Sequence, residues 1–144
     1  MICTKTLQHP FLKIGSKCST IKVQLTRIIS INFSVYSRKC SITGEKTLPV
    51  LEAAHIKPYS ALGPHSVSNG LLLRSDMHKL FDSGYLTITT DLKIEVSSRI
   101  KEEFQNGKEY YKYHGNNLFI LPSEKKDLPN SSYIDWHNTN IYKS

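Results

Sequence analysis

Cysteine is scarce in this chain and never occurs in closely spaced pairs. The three cysteines are Cys3, Cys18 and Cys40, and no C-x-x-C motif is present. Paired cysteines of that kind hold structural zinc ions, so this type of zinc site is excluded. An odd count also argues against a disulfide framework. We therefore expect three free thiols, with Cys40 buried.

Long apolar stretches are also missing. No run approaches the roughly 20 apolar residues that a membrane-spanning helix needs. The N-terminus contains lysines but no sustained apolar segment of the kind found in secretory signals. A cytoplasmic protein without membrane association is the expectation, and a length of 144 residues suits one domain.

Acidic residues are nearly absent from the first third of the sequence. Residues 1–46 contain eight Lys or Arg and a single acid, Glu45, whereas residues 47–144 contain eleven of each sign. A basic arm of this kind attracts phosphates without regard to sequence, and a solvated tail is the alternative interpretation. Residues 1–35 form a basic N-terminal segment of uncertain structure. Residues 1–20 have the composition of a loop, and residues 21–35 suit either a strand pair or a short helix.

The clearest pattern lies between Val50 and Gly84. Val50–Ile56 is a short apolar run between prolines, which is typical of a buried strand, and Gly70–Arg74 is a second such run. Ser75 is predicted to be the N-cap of a helix of about two turns, and Gly84 is predicted to end it. The order is therefore strand, long loop, strand and helix.

The remainder of the chain is predicted to add a hairpin and further helices. The hairpin is indicated by alternating residues on both sides of a Thr-Asp turn. The predicted elements are strands at 85–89 and 93–96, a helix after Ser98 that ends at Gly107, a strand at Leu118–Leu121, and a last helix capped by Ser131 or Ser132. The three tyrosines Tyr110, Tyr111 and Tyr113 are predicted to pack rather than to stack on bases.

The order His55, Asn69, His78 on strand, loop, strand and helix resembles the HNH endonucleases. The joined blocks AAHIKPYS and NGLLLRSDMHKLFDSG, with CSITGEKTLPV before them and a late Trp-His pair, are similar to the bacterial restriction-type branch of that family. The resemblance implies an α+β protein with a ββα-metal (His-Me finger) core at 47–84. That core would lie in a nuclease domain at 36–144, with a C-terminal hairpin and helices added to it.

The resemblance also implies a role for each motif residue. His55 would be the general base that activates water, and Asn69 would tie the long loop to the backbone near His55. His78 would bind a divalent metal, and Asp82 follows four residues later on the same helix face. Mg²⁺ is the first expectation, with Mn²⁺, Ni²⁺ and Zn²⁺ as alternatives.

One position departs from many members of the family. They carry Asp or His immediately before the base, whereas this chain has Ala54, which cannot bind a metal. Either His78 and Asp82 hold the ion with water and substrate phosphate, or Glu52 or Asp76 replaces the missing ligand.

Basic side chains flank the motif and are candidate phosphate contacts. They are Lys57, Arg74 and Lys79. His65 and His137 are expected to be structural or exposed and are left out of the site.

The expected function is metal-dependent hydrolysis of DNA phosphodiester bonds, and the resemblance implies products with 5′-phosphate and 3′-hydroxyl ends. A homodimer would allow both strands to be cut. Two alternatives are open: a non-catalytic DNA-binding module with the same fold, for which Ala54 is the main argument, and an RNA-directed nuclease.

Overall fold

The computed structural model describes residues 12–144, with side chains from residue 20 onward. Five α-helices and four β-strands are present in this part of the chain. In chain order they are α1 (Leu12–Val35), β1 (Leu51–His55), β2 (Gly70–Arg74), α2 (Ser75–Asp82), β3 (Leu86–Ile88), β4 (Ile94–Val96), α3 (Arg99–Phe104), α4 (Lys108–Tyr111) and α5 (Ser131–Asn140). The strands form two separate antiparallel pairs, so the predicted α+β class is confirmed.

Helix α1 resolves the choice between strands and helix for residues 21–35. Its more buried side chains, including Leu25, Ile28 and Asn32, recur at helical spacing, whereas Val23 is exposed. The β-branched residues of 21–35 were compatible with strands as well as with a helix. The buried side chains, however, recur with the period of a helix. The predicted loop over residues 1–20 is wrong for residues 12–20, which are helical, and residues 1–11 lie outside the described residues.

The first strand pair holds the two motif blocks in register. β1 pairs with β2 so that His55 lies opposite Gly70 and Leu51 opposite Arg74. Both strands lie where they were predicted, and Leu71, Leu72 and Leu73 are fully buried. The phenol of Tyr36, at the end of α1, donates to the Gly70 carbonyl at 3.0 Å. That hydrogen bond ties α1 to β2 close to the end of the loop.

Helix α2 follows β2 without a break, and its start differs from the prediction. Ser75 is the first helical residue rather than the N-cap; the N-cap is Arg74, whose backbone is extended, and the Ser75 hydroxyl donates to the Val50 carbonyl at 3.0 Å. The predicted end is confirmed. Gly84 has φ +82°, and the amide nitrogens of Gly84 and Tyr85 donate to the carbonyls of Phe81 and Leu80 in the Schellman pattern.

The C-terminal part confirms the hairpin of β3 and β4 but corrects three details. Leu118–Leu121 is not a strand; Asn117 makes one isolated bridge to Lys93. Helix α3 ends before Gly107, because Gln105 adopts the left-handed conformation at its C-terminus. The N-cap of α5 is Asn130 rather than either serine, since its side chain accepts from the Ser132 amide.

The core lies between the first strand pair, α2 and the C-terminal elements. Met77 and Phe81 from α2 and Ile134 from α5 are buried in it, as is the Cys40 thiol. The three tyrosines predicted to pack, Tyr110, Tyr111 and Tyr113, lie partly buried against the core, which confirms that expectation. This packing fixes α2 against the end of β1, and the motif residues meet there.

Candidate functional site

An open depression lies where the end of β1 meets the outer face of α2. Its lining includes His55 from β1, His78 and Asp82 from α2, and Tyr59 from the long loop. Three of the four motif-derived candidates therefore face one surface. Asn69 is fully buried behind them.

His55 is half-buried at the end of β1. Its Nε2 atom lies 3.1 Å from Nδ1 of His65. Burial of the imidazole lowers the pKa of His55 below its usual 6.5, and His65 lowers it further, against an opposing effect of Asp82. The ring is therefore neutral at neutral pH, which is the form that can accept a proton.

His65 was left out by the sequence analysis, and the structure places it beside His55. Its ring meets that of His55 edge to face, with centroids 5.2 Å apart. It also stacks on Tyr59, with centroids 4.7 Å apart and an angle of 8° between the planes. Its Nε2 is buried and has no hydrogen-bond partner among the described residues. Only its position in the loop that follows His55 hinted at this proximity.

Asn69 closes the loop that carries His65. Its Oδ1 accepts from the amide of Lys57, and its Nδ2 donates to the carbonyls of Lys57 and Pro64, each at 2.9 Å. Since one partner is a donor and two are acceptors, only one orientation of the amide satisfies all three. A single side chain thus ties the chain two residues after His55 to the residue just before His65.

His78 lies between two carboxylates. Its Nδ1 is 2.6 Å from Oε2 of Glu52, and its Nε2 is 3.2 Å from Oδ2 of Asp82. The hydrogen bond with Asp82, followed by that with Glu52, raises the pKa of His78 to about 8. The imidazole is therefore protonated at neutral pH in this arrangement. His55 and His78 thus differ in charge although both face the same depression.

Comparison with known proteins identifies the segment that builds this site. Residues 40–89 match the model of a family described as HNH endonuclease. This segment belongs to the HNH endonuclease family. The resemblance predicted from the His55, Asn69 and His78 blocks is confirmed, and the family implies nuclease activity.

The similarity to one solved structure extends beyond the HNH segment of this chain. That structure is described as a modification-dependent TagI restriction endonuclease, with a TM-score of 0.57 and 22% sequence identity. The alignment covers 81% of this chain but only 38% of that one. At this identity the likeness shows the fold alone. A search of curated proteins finds no match.

His78 and Asp82 are the two side chains of the depression that together offer a nitrogen and a carboxylate oxygen of the kind that divalent metals take. Among the residues that the structure describes, no group of three or more His, Cys, Asp or Glu is arranged to hold an ion. The Nδ1 contact with Glu52 is, however, the carboxylate–histidine contact that commonly orients a metal-binding imidazole. Nε2 and the Asp82 carboxylate then remain as a nitrogen and an oxygen donor, a pair that suits divalent first-row metals.

The two candidates for replacing the ligand missing at Ala54 behave differently. Ala54 itself is buried in the core. Glu52 reaches the site through His78, whereas Asp76 forms a two-point ion pair with Arg74 at 2.7 and 3.0 Å. Asp76 is therefore occupied away from the HNH site.

The three basic candidates are not clustered. Nζ of Lys57 lies 5.6 Å from the centre of the Trp136 ring, and Lys79 is exposed on α2 next to His78. Arg74 lines a different depression, together with Lys39, Lys46 and Tyr113. Lys57 and Lys79 adjoin site residues along the chain, but neither lines the depression of His55 and His78, and Arg74 lines a different one.

His137 is buried, and it contributes to the lining of the depression from below. Its ring stacks on Phe81 at 3.9 Å and has contacts of 2.9 Å to the Thr87 hydroxyl and 3.0 Å to the Phe81 carbonyl. It supports α2 from below.

Among the described residues, no helix is both long and apolar enough to cross a membrane.

Proposed function

We propose that this chain is a metal-dependent endonuclease that hydrolyses DNA phosphodiester bonds. The observation that carries the proposal is the pairing, in one depression, of a neutral imidazole at His55 with a histidine–carboxylate pair at His78 and Asp82. A proton acceptor and a metal-binding pair are the two components that this hydrolysis needs. DNA is favoured as the substrate because the structural relative is named a restriction endonuclease.

His55 acts as the general base. It removes a proton from a water molecule, and the water oxygen attacks phosphorus as the bond between phosphorus and the 3′ oxygen breaks. The products carry a 5′-phosphate and, after the leaving oxygen takes a proton from solvent, a 3′-hydroxyl. Asn69 keeps the backbone around Lys57 fixed, so the base stays oriented toward the depression.

Nε2 of His78 and the carboxylate of Asp82 would hold the divalent ion, with Glu52 fixing the ring through Nδ1. A bound ion supplies Lewis-acid stabilisation of the charge that develops on the phosphoryl and leaving oxygens. Mg²⁺ is the first candidate because of the substrate phosphate, and the imidazole also suits Mn²⁺, Ni²⁺ or Zn²⁺.

The strand–strand–helix arrangement of β1, β2 and α2 supports a ββα-metal core at 47–84 within a nuclease domain at 36–144. The basic segment before it would add sequence-independent attraction to DNA. Lys57 and Lys79 are the proposed phosphate contacts nearest the reaction. Arg74 would contact phosphate only outside the depression. A homodimer would place two such sites on opposite strands.

Plasmid cleavage tests the proposal. Purified protein is incubated with supercoiled DNA and Mg²⁺ or Mn²⁺, alongside an EDTA control and a His55→Ala variant whose folding is checked by circular dichroism. We expect nicking or linearisation that both controls abolish. Protein that retards DNA on a gel but cuts with no divalent metal would instead be a non-catalytic DNA-binding module, and cleavage confined to RNA would assign the chain to RNA-directed nucleases.

A further inference from the structure

The loop between β1 and β2 brings a second histidine to the base. Nε2 of His55 and Nδ1 of His65 are 3.1 Å apart, which is a hydrogen-bond distance, and both rings are partly buried. Nδ1 of His55 makes no hydrogen bond with any residue that the structure describes. One nitrogen of the base therefore has a protein partner, and the other is left for the reaction.

The position of the shared proton decides whether His55 can act as a base. If His65 donates its Nδ1 proton, Nε2 of neutral His55 is the acceptor and the proton of His55 sits on Nδ1. That tautomer has no free lone pair. If His55 donates from Nε2 instead, the lone pair on its Nδ1 is free to accept a proton from water. Only the second arrangement is competent.

We propose that His65 is a positioning residue for the base: its Nδ1 accepts the Nε2 proton of His55 and thereby holds the lone pair of His55 on Nδ1. The inference rests on the proposed nuclease function. When His55 takes the proton from water, its Nε2–H remains directed at His65, so the hydrogen bond stabilises the imidazolium that forms. No proton needs to leave His65, and the base returns to its starting tautomer when it is deprotonated by solvent.

The surroundings of His65 are built to hold its ring in one orientation. Tyr59 lies flat against one face of the ring. Pro64, the residue before His65, is held by Nδ2 of Asn69, and the same side chain fixes Lys57, two residues after His55. Asn69 therefore sets the spacing between the segments that carry the two imidazoles. Asn69 therefore has a second role in addition to closing the loop, which is to position His65.

Two substitutions separate positioning from simple packing. His65→Asn places a side-chain oxygen near the position of Nδ1 and keeps an acceptor, whereas His65→Leu keeps bulk without one. We expect His65→Leu to lower kcat by about 10- to 100-fold, the range for losing an orienting partner, with KM changed less than about twofold. His65→Asn should recover most of that loss. The Mn²⁺ affinity of both variants should match the unsubstituted protein, because His65 does not contact His78.

A second measurement does not depend on cleavage. ¹⁵N NMR of the metal-free protein reports which nitrogen of His55 carries the proton. We expect the Nε2–H tautomer in the unsubstituted protein and in His65→Asn, and a mixture in His65→Leu. Protonation on Nδ1 in the unsubstituted protein, or full kcat in a folded His65→Leu variant, would overturn the inference. If the protein fails to cut DNA with any divalent metal, the proposed function is overturned instead. The tautomer of His55 would still decide the role of His65.

Discussion

At the scale of single residues, the neighbours of the two site histidines keep one ring neutral and the other protonated. His55 is partly desolvated and faces another histidine, so its pKa falls. His78 is held between Glu52 and Asp82, so its pKa rises to about 8. The same side-chain type thus supplies a proton acceptor at His55 and a protonated imidazole at His78. A metal that binds His78 would have to displace that proton.

This difference predicts how metal binding depends on pH. Below pH 8 the ion competes with the proton on His78, so the apparent Mn²⁺ affinity should increase about tenfold per pH unit from pH 6.5 to 8 and level off above. Isothermal titration calorimetry at several pH values measures it. The stability of the metal-free protein should change in the opposite direction. Because the folded pKa of His78 is raised, its contribution is complete below pH 6.5 and is lost as pH rises through 8.

Glu52→Gln removes the carboxylate that contacts Nδ1 of His78 and should lower the midpoint of the pH dependence of Mn²⁺ affinity. Glu109→Gln is its matched control, since Glu109 pairs with Lys112 and has no contact with His78. A pH-independent Mn²⁺ affinity in the unsubstituted protein would show that His78 does not bind the ion.

Asn69 gives a prediction about stability. Asn69→Ala leaves one amide and two carbonyls of the loop without their partner, which should cost about 3 kcal/mol in the free energy of unfolding. Urea denaturation measures the difference. Asn116→Ala is the control, because Asn116 makes a single exposed hydrogen bond to the Lys112 carbonyl and its loss should cost below about 1 kcal/mol. Equal costs for the two variants would contradict the proposed closure of the loop.

At the scale of elements, the short helix α2 depends on how it ends. A Cβ at Gly84 would lie 2.1 Å from the carbonyl oxygen of Ile141, and the glycine has φ +82°. The C-terminal chain also bonds to this turn, since the Lys143 amide donates to the Gly84 carbonyl at 2.8 Å. The end of α2 and the end of the described chain therefore form one packed unit.

Gly84→Ala should therefore destabilise the protein more than its backbone conformation alone requires. Gly115→Ala is the matched control, because Gly115 has φ +81° but no atom within 4 Å of an added Cβ. The control isolates the left-handed backbone cost of about 1 to 2 kcal/mol. The excess for Gly84→Ala in thermal unfolding measures the clash with Ile141. Equal losses in the two variants would mean that the C-terminal segment moves away freely.

The elements that the sequence predicts well are those whose signals are local. β1, β2 and the C-terminal turn of α2 follow from apolar runs and a glycine, which act over a few residues. The cap at Ser75 was wrong by one residue: Arg74 is the N-cap, and the Ser75 hydroxyl makes a contact that no local signal predicts, with the distant Val50 carbonyl. His65 was missed for a similar reason: its place beside His55 depends on how Asn69 folds the loop, and no spacing rule describes that closure.

At the scale of the whole molecule, the net charge of +7 predicts salt-dependent DNA binding. Lys57→Ala and Lys79→Ala should each reduce the slope of log K against log salt concentration by about 1, without a sequence preference. Fluorescence anisotropy at several salt concentrations measures the slopes. Lys101→Ala, an exposed lysine on α3, is the comparison, and an equal reduction there would mean that the whole surface attracts DNA without a defined track.

The closure by Asn69 has a consequence for how the loop can vary. The loop from Lys57 to Pro64 is closed by the Asn69 side chain and by a hydrogen bond from the Gly63 amide to the Pro58 carbonyl, and Tyr59 packs on His65, so only the exposed residues at its tip take no part in holding His65. Ser60 and Leu62 are exposed there, and Leu62 adopts the left-handed conformation that glycine and asparagine also accept. The tip is therefore a place where sequence drift, or grafted recognition residues, could alter target preference while the machinery behind it stays in place.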